Sequence, residues 1–299
     1  MGVAVMFPGQ GSQTPGMGAT WRDRPAWGLI ERAEDALGEP VGELLLDADP
    51  ARLAHTREAQ LAVYLTSLLA WEDAKDELGP VTAYAGHSLG QLTALTAAGA
   101  LALDDGLRLV ARRAVLTQHA ADASPGGMAA LLGADQAQAV AACGAAPDGC
   151  WLANDNAPGQ VVVAGSDDGL AAATDAARSA GVKRVVPLAV DGAFHTPLMQ
   201  PAADQFAEAT ARVRLQESSA PVVSNADATA YTEAEGWRKR LVDHLVRPVL
   251  WRQSLDTLVA LGATRFVEVG PGRVLAGLAR KCRPDVPVAS SPIAEEGGA

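Results

Sequence analysis

The chain has 299 residues, of which 48% are hydrophobic, and its formal net charge is −11 at pH 7. This length and composition allow a large buried core, and the acidic charge excludes a general binder of nucleic acid or membrane surfaces, which needs a basic face. The three cysteines form no CxxC pair and no metal-ligand spacing, which is typical of free thiols in a reduced compartment. No basic leader precedes the first apolar run, and no window reaches the roughly 18 apolar residues of a membrane span. We therefore expect a cytoplasmic protein without membrane contact.

The N-terminal segment begins with an apolar run and continues with helical periodicity. Val3 to Phe7 has the unbroken hydrophobicity of a buried strand, and a loop rich in glycine and amide side chains follows at residues 8–13. Apolar spacing then predicts helices over residues 26–37 and 57–78. Because polar loops after buried strands often carry ligand sites in α/β proteins, residues 8–13 are a candidate binding loop.

The next element is a second strand that runs into a turn carrying a serine. Val81 to Ala85 is strand-like, and Gly86-x-Ser88-x-Gly90 follows it directly, before apolar residues at helical spacing. Glycines two positions before and after a serine leave room for a strained turn between strand and helix, which lifts the hydroxyl into a cleft. Ser88 is therefore a candidate nucleophile.

The middle of the chain can be divided into a unit of its own. Its predicted elements follow the order βαββαβ, which is that of a ferredoxin-like fold. They are strand 127–132, helix 135–143, strands 151–154 and 160–164, a helix capped by Ser166 and ending at Ala180, and strand 183–190. We predict an inserted small subdomain over residues 124–191, forming one wall of a cleft.

The remaining chain returns to alternating strands and helices. We predict a helix to about Val213, a strand at 221–224, helices at 233–244 and 249–261, a strand at 265–269 and a final helix through Lys281, with a disordered tail from Glu295 to Ala299. The predicted fold class is α/β. Residues 1–123 and 192–299 would form a large α/β-hydrolase-like subdomain with a parallel sheet, into which the small subdomain is inserted.

A serine nucleophile needs a base and an oxyanion hole, and only five histidines are available. His195 lies in a loop at the head of a helix and after a strand, where sites are built, so it is the best candidate base. His87 adjoins Ser88, and neighbouring side chains on a tight turn point apart, so we expect it to be a structural hydrogen bonder. The backbone N–H of Leu89 is a natural oxyanion donor, and the loop at residues 8–11 is the obvious supplier of a second.

Several short motifs occur together in one order along the chain. They are residues 7–13 (FPGQGSQ), 86–90 (GHSLG), Arg113, 127–130 (GMAA), 156–160 (NAPGQ), 194–199 (FHTPLM) and 268–272 (EVGPG). In this set the chain resembles malonyl-CoA:acyl carrier protein transacylases, the family of discrete fatty-acid enzymes and polyketide-synthase acyltransferase domains. The motifs extend from Phe7 to about Lys281.

The resemblance implies an acyl transfer in two half-reactions. Ser88 would take the acyl group from coenzyme A as an ester, with His195 as base and then acid, and a phosphopantetheine thiol of an acyl carrier protein would accept it. Gln10 and Leu89 match the family's oxyanion hole. A backbone carbonyl orients the histidine in this family, and the matching position lies at Leu250. No permanently bound cofactor or metal is implied.

The resemblance also implies a carboxylated substrate. Arg113 matches the arginine that pairs with the free carboxylate of a malonyl group, a task suited to a planar guanidinium. We assign Phe194, Gln91 and Asn156 to the substrate pocket. Phe194 resembles the malonyl-selective pattern, because a bulky ring leaves little room for an α-branch, whereas Gln91 stands where many relatives have Glu.

Other functions stay open on the sequence alone. A hydrolase that strips acyl groups from carrier proteins would use the same serine and histidine, with water in place of the thiol, and a transferase of another acyl unit between carrier proteins would also fit. Arg113 discriminates against the hydrolase, because a hydrolase of monocarboxylic acyl groups has no use for a buried cation. Among carboxylated acyl groups malonyl is the first choice, and methylmalonyl or a longer extender unit stays open. A noncatalytic docking module is disfavoured because Ser88, His195 and Gln10 are all present. We expect a monomer.

Overall fold

A computed structural model describes residues 2–190 and 192–290 of the chain. The strands in this part are β1 (Gly2–Phe7), β2 (Val81–Gly86), β3 (Gly126–Leu132), β4 (Cys150–Ala157), β5 (Gln160–Ser166), β6 (Arg184–Pro187), β7 (Val222–Val223), β8 (Ala230–Tyr231), β9 (Ala263–Glu268) and β10 (Val288–Ser290). The helices are α1 (Gly28–Leu37), α2 (Val41–Leu46), α3 (Pro50–Ala54), α4 (Thr56–Ala74), α5 (Gly90–Ala97), α6 (Leu103–Ala123), α7 (Gln136–Cys143), α8 (Asp167–Ser179), α9 (Gln200–Ala211), α10 (Trp237–Val246), α11 (Trp251–Ala260) and α12 (Val274–Cys282). The tail predicted to be disordered lies outside the described residues.

The larger sheet has six strands in the order β10-β9-β1-β2-β7-β8, and all pairs are parallel except β7 with β8. Its central strand β1 is buried on both faces, as its unbroken apolar sequence predicts. Val3, Val5 and Phe7 belong to a core shared with α1, α4, α5, α6, α9 and α10. The alternate residues Ala4 and Met6 pack in a second core with α11 and α12. The large part is therefore a sheet between two layers of helices.

The smaller sheet is antiparallel, with the order β4-β5-β3-β6, and lies within residues 126–187. One face packs on α7 and α8 through residues such as Leu131 and Val163. The other face carries Met128, Ala130 and Val162 and meets Ala193 and Phe194. The predicted βαββαβ order and the α/β fold class are confirmed, while the exact subdomain boundaries at 123/124 and 191/192 stay a prediction.

Main-chain and ionic contacts join the smaller sheet to the start of α11. The Asp155 N–H donates to the Val249 carbonyl over 2.9 Å, and the Val249 N–H donates to the Ala153 carbonyl over 2.8 Å. The buried Asp155 carboxylate also accepts from the Arg252 guanidinium at 2.8 Å. These contacts hold the wall formed by β4 against the start of α11.

The structure differs from the sequence prediction mainly in short elements. Helices α2 and α3 and strands β8 and β10 were not predicted, because each is too short to show a hydrophobic period. Helix α10 begins at Trp237 and not at 233, since Gly236 adopts a left-handed conformation with φ of 80°. Helix α11 begins at Trp251 and not at 249, because Val249 pairs with the small sheet.

The carboxyl ends of the parallel strands meet at one edge of the larger sheet. There β1 leads to Gln10, β2 to Ser88 and β7 to Asn225. The sheet thus brings together groups that are far apart in sequence. In open α/β sheets this edge is where ligands bind. Within the two described ranges, no helix is both long and apolar enough to cross a membrane.

Candidate active site

Ser88 lies on a strained turn between β2 and α5, as the motif predicts. Its φ is +53°, in the left-handed region that non-glycine residues rarely adopt. The turn requires glycine on both sides. A Cβ at Gly86 would collide with the carbonyl of Gly90, and a Cβ at Gly90 would collide with the carbonyl of Phe7. The close approach of these backbones leaves the Ser88 side chain facing a cavity.

The turn is held from behind by a buried amide that sequence reasoning missed. The Asn225 Oδ1 accepts from the Ser88 N–H at 2.8 Å, and the Asn225 Nδ2 donates to the Gly86 carbonyl at 2.8 Å. The Asn225 N–H donates in turn to Gln91 Oε1 at 2.7 Å. Asn225 lies two residues after the end of β7, which neighbours β2, so its place at the same sheet edge was the available signal.

His195 reaches the Ser88 hydroxyl and is oriented by a backbone carbonyl. Its Nε2 lies 2.8 Å from Ser88 Oγ, and its Nδ1 lies 2.9 Å from the carbonyl oxygen of His244. Because a carbonyl can only accept, Nδ1 carries the proton and Nε2 presents its lone pair to the hydroxyl. The pair therefore has the geometry of a nucleophile and its general base.

The prediction that Leu250 supplies this carbonyl is wrong. The Leu250 carbonyl begins α11, where it accepts from the backbone N–H of Ser254 at 2.9 Å and from its hydroxyl at 2.8 Å. It is thus committed to the first turn of that helix. The end of α10 presents the carbonyl of His244 in its place.

The His244 side chain connects the base to the turn that holds the serine. Its ring packs against the His195 ring with centroids 4.9 Å apart, and its Nδ1 lies 3.4 Å from Gln91 Nε2. Gln91 also accepts from Asn225, which holds Ser88. Hydrogen bonds therefore connect five residues in a ring, in the order Ser88, Asn225, Gln91, His244 and His195. The His244 carbonyl provides the link to His195 Nδ1, and His195 Nε2 closes the ring at Ser88 Oγ.

Arg113 is a buried cation beside the nucleophile. Only 7% of its surface is exposed, and Nη2 donates to Ser88 Oγ at 3.1 Å while Nη1 donates to Gln60 Oε1 at 2.7 Å. Burial lowers the pKa of Arg113 to about 10, so it stays charged at neutral pH. Within residues 2–190 and 192–290 no carboxylate forms an ion pair with it. The neighbouring Arg112 is exposed, as the helical angle between the two requires.

The surroundings keep the histidines of the site neutral. Burial, followed by the charge of Arg113, lowers the pKa of His195 to about 3. Burial also lowers the pKa of His87, and burial together with His195 and Arg113 lowers the pKa of His244 well below 6.5. The neutral His195 can accept a proton, while Arg113 supplies positive charge to the cavity.

Two backbone amides are available for an oxyanion. Leu89 immediately precedes α5, and Gln10 lines the cavity, its side chain contacting Gln60 at 3.4 Å. In the part of the chain that the structure describes, neither backbone N–H donates a hydrogen bond. The first amides of a helix carry partial positive charge, which suits them to a developing oxyanion.

The cavity at Ser88 has a volume of about 110 Å³. Its apolar wall is formed by Met128, Val190, Phe194, Met199 and Leu245. Phe194 lines it as predicted, but the prediction that Gln91 and Asn156 also do so is wrong. Gln91 is fully buried behind the turn, and Asn156 Oδ1 lies 2.8 Å from His87 Nε2, while Asn154 faces the cavity instead. Among the described residues, no cluster of three or more His, Cys, Asp and Glu side chains could hold a metal ion.

The chain matches the family profile described as acyl transferase domain over residues 5–291. It therefore belongs to the acyl transferase domain family and is an acyltransferase. It is 37% identical to the malonyl CoA-acyl carrier protein transacylase of Bacillus subtilis, over 93% of this chain and 90% of that protein. The resemblance to the malonyl-CoA:acyl carrier protein transacylases, inferred from the motifs, is confirmed.

Solved structures agree with this assignment. The acyl-carrier-protein S-malonyltransferase of Burkholderia pseudomallei superposes with a TM-score of 0.93 and 36% identity, covering 97% of this chain and 96% of that chain. A complex described as PlMCAT:AntF, a type II PKS acyl-carrier protein with its malonyl-transacylase, superposes with a TM-score of 0.92 and 34% identity, with coverage of 97% and 96%.

Removing the amide behind the turn is expected to weaken both stability and activity. Asn225→Ala leaves the Ser88 N–H and the Gly86 carbonyl buried without these partners, at a cost of about 1–3 kcal/mol for each group. We expect the free energy of unfolding in urea to fall by the sum of these two costs. The rate of acyl loading should fall roughly tenfold or more. Ser224→Ala is the control, because the buried Ser224 hydroxyl has no hydrogen-bond partner among the described residues. Equal losses in both variants would contradict this role of Asn225.

The lowered histidine pKa values predict an acid-sensitive fold. Between the ordinary pKa of 6.5 and the value of about 3, unfolded His195 binds a proton that the folded chain does not. The neutral His195 therefore contributes fully to the free energy of unfolding above pH 6.5, and this contribution is lost as the pH falls towards 3. The free energy of unfolding falls by at most about 1.4 kcal/mol per pH unit in this range. We expect urea unfolding at pH 5 and pH 7.5 to show this slope, and His195→Gln to reduce it. An unchanged slope in that variant would count against a neutral buried His195.

Proposed function

We propose that this acyltransferase moves a malonyl group from coenzyme A to the phosphopantetheine thiol of an acyl carrier protein, through an ester on Ser88. The observation that carries the proposal is the buried Arg113 guanidinium, 3.1 Å from Ser88 Oγ and without a carboxylate partner among the described residues. A buried cation of this kind is costly unless an anion joins it. The free carboxylate of a malonyl group would supply that anion. When the malonyl thioester lies at the Ser88 hydroxyl, its carboxylate would lie beside the guanidinium.

In the first half-reaction the donor thioester would be held between Arg113 and the two free amides. His195 Nε2 takes the proton of Ser88 as Oγ attacks the thioester carbon, and the backbone N–H groups of Gln10 and Leu89 stabilise the oxyanion. His195 then returns the proton to the departing sulfur of coenzyme A. The second half-reaction reverses these steps with the carrier's thiol as nucleophile, so the same residues serve both.

A carboxylated substrate would also make His195 a better base. The charge of Arg113 is the second cause of the low pKa of His195, after burial. A malonyl carboxylate paired with the guanidinium offsets that charge and raises the pKa of His195 when the substrate is in place. The site would thus favour carboxylated acyl groups both in binding and in the proton transfer.

The carrier protein and the thioester donor are proposed from the relatives. The PlMCAT:AntF complex contains an acyl-carrier protein with its malonyl-transacylase, and the relatives are named malonyl CoA-acyl carrier protein transacylase. The two half-reactions need no permanently bound cofactor. We further propose that the protein is a monomer and that it is cytoplasmic. The three free cysteines support the cytoplasmic location.

The experiment that tests this function separates transfer from hydrolysis. The protein is mixed with malonyl-CoA and either holo or apo carrier protein, and malonyl carrier and free malonate are measured in the same samples. We expect malonyl carrier to form with the holo carrier and not with the apo carrier, with little malonate. Release of malonate at the same rate with both carriers would support the hydrolase and refute the transferase.

A further inference from the structure

A second cavity, of about 450 Å³, lies on the other side of His195. One wall belongs to the small sheet, at the end of α7 and the start of β4, and carries Cys143 and Cys150. The opposite wall carries His195, Pro197 and Val246. The cavity therefore offers a small molecule a route to two thiols that the acyl transfer does not use.

The two sulfurs are close enough to react with each other. Their Sγ atoms lie 3.7 Å apart, and a disulfide requires about 2.05 Å, so they must approach by about 1.7 Å. The connecting turn keeps them together, because the Ala146 N–H donates to the Cys143 carbonyl at 2.9 Å and the Cys150 N–H donates to the Ala146 carbonyl at 3.0 Å. Formation of the disulfide therefore requires the two side chains to rotate towards each other.

The two thiols also interact directly. A hydrogen bond joins Cys143 Sγ to Cys150 Sγ, and this bond together with burial raises the pKa of Cys150. A thiolate formed on one sulfur therefore lies beside the proton of the other, which stabilises it. Cys282 differs, since burial raises its pKa to about 11 and it packs against the second core, where its Sγ donates to the Asn156 carbonyl at 3.5 Å.

We propose that Cys143 and Cys150 form a reversible modification site that hydrogen peroxide oxidises to an intramolecular disulfide. Cys143 sulfur attacks one peroxide oxygen, so an S–O bond forms as the O–O bond breaks, and the departing hydroxide takes the Cys143 proton as water. Cys150 sulfur then attacks Cys143 sulfur, the S–S bond forms, and the second hydroxide leaves as water with the Cys150 proton. Two thiols lose two electrons and two protons, and one peroxide becomes two waters.

The test treats the folded Cys282→Ser protein with hydrogen peroxide, then denatures it and alkylates the remaining thiols. Before treatment two thiols should be alkylated, and after treatment none. Peptide mapping should find a peptide that joins Cys143 to Cys150, and dithiothreitol should restore both thiols. A further Cys150→Ser substitution is the matched control and should give no cross-linked peptide.

Three results would overturn the proposal. They are full alkylation after peroxide, sulfinic acid on either cysteine without the cross-link, and a cross-link found only between chains. Mapping the unsubstituted protein in parallel makes the result independent of whether the serine variants fold. The readout is the thiol chemistry and not acyl transfer, so this proposal and the proposed function can fail separately.

Discussion

Ser88→Ala is expected to abolish covalent loading and to lower malonyl transfer by at least about 10³-fold, since the hydroxyl is the atom that forms the ester. Among the described residues, Ser88 Oγ is the only group that hydrogen-bonds to His195 Nε2. Intact-mass measurement after mixing with malonyl-CoA should show an adduct on the unsubstituted chain and none on the variant.

The matched control for this substitution is Ser254→Ala. Ser254 is fully buried, whereas Ser88 is half-buried, and the Ser254 hydroxyl donates to the Leu250 carbonyl at the start of α11, away from the cavity. We expect this control to load malonyl at close to the normal rate. An adduct that persists in Ser88→Ala would show that another residue is the nucleophile.

Arg113→Ala is expected to reduce malonyl transfer by roughly 10²–10³-fold, the range for removing one partner of a buried charge pair. Acetyl transfer should change by less than about tenfold, because an acetyl group offers no carboxylate to the guanidinium. Loss of the positive charge also raises the pKa of His195, since Arg113 is among the causes that lower it. The substitution should therefore change the preference between the two donors and not merely the overall rate.

Two further variants separate charge from geometry. Arg113→Lys keeps the charge without the planar fork and should give an intermediate loss of malonyl transfer. Arg112→Ala is the matched control on the same helix, because that side chain is exposed and, among the described residues, its one hydrogen bond goes to Gln205 Oε1 at 3.4 Å. Equal losses of malonyl and acetyl transfer in Arg113→Ala would contradict the carboxylate role.

The sequence predicted those parts of the site that depend on local chemistry. The Gly-x-Ser-x-Gly spacing is itself the cause of the strained turn, so Ser88 could be placed on it before the fold was known. His195 could be chosen because it occupies a loop between a strand and a helix. The resemblance then singled out Arg113, which the structure places 3.1 Å from the serine.

The parts that sequence reasoning missed depend on tertiary packing. Asn225 is 137 positions from Ser88, and only the pairing of β7 with β2 brings them together. Gln91 follows the turn directly, but the start of α5 points it behind the serine and not into the cavity. The carbonyl that orients His195 was assigned to Leu250 from the family resemblance, and no sequence pattern could show that α11 already engages that carbonyl.

The most direct test of the central claim is a competition among donors. The unsubstituted protein is mixed with equal amounts of malonyl-CoA and acetyl-CoA, its adduct is identified by intact mass and mapped to a peptide, and holo carrier protein is then added. We predict a malonyl adduct on Ser88 that the carrier thiol removes as malonyl carrier. A predominant acetyl adduct, an adduct on another residue, or discharge to water alone would contradict the account.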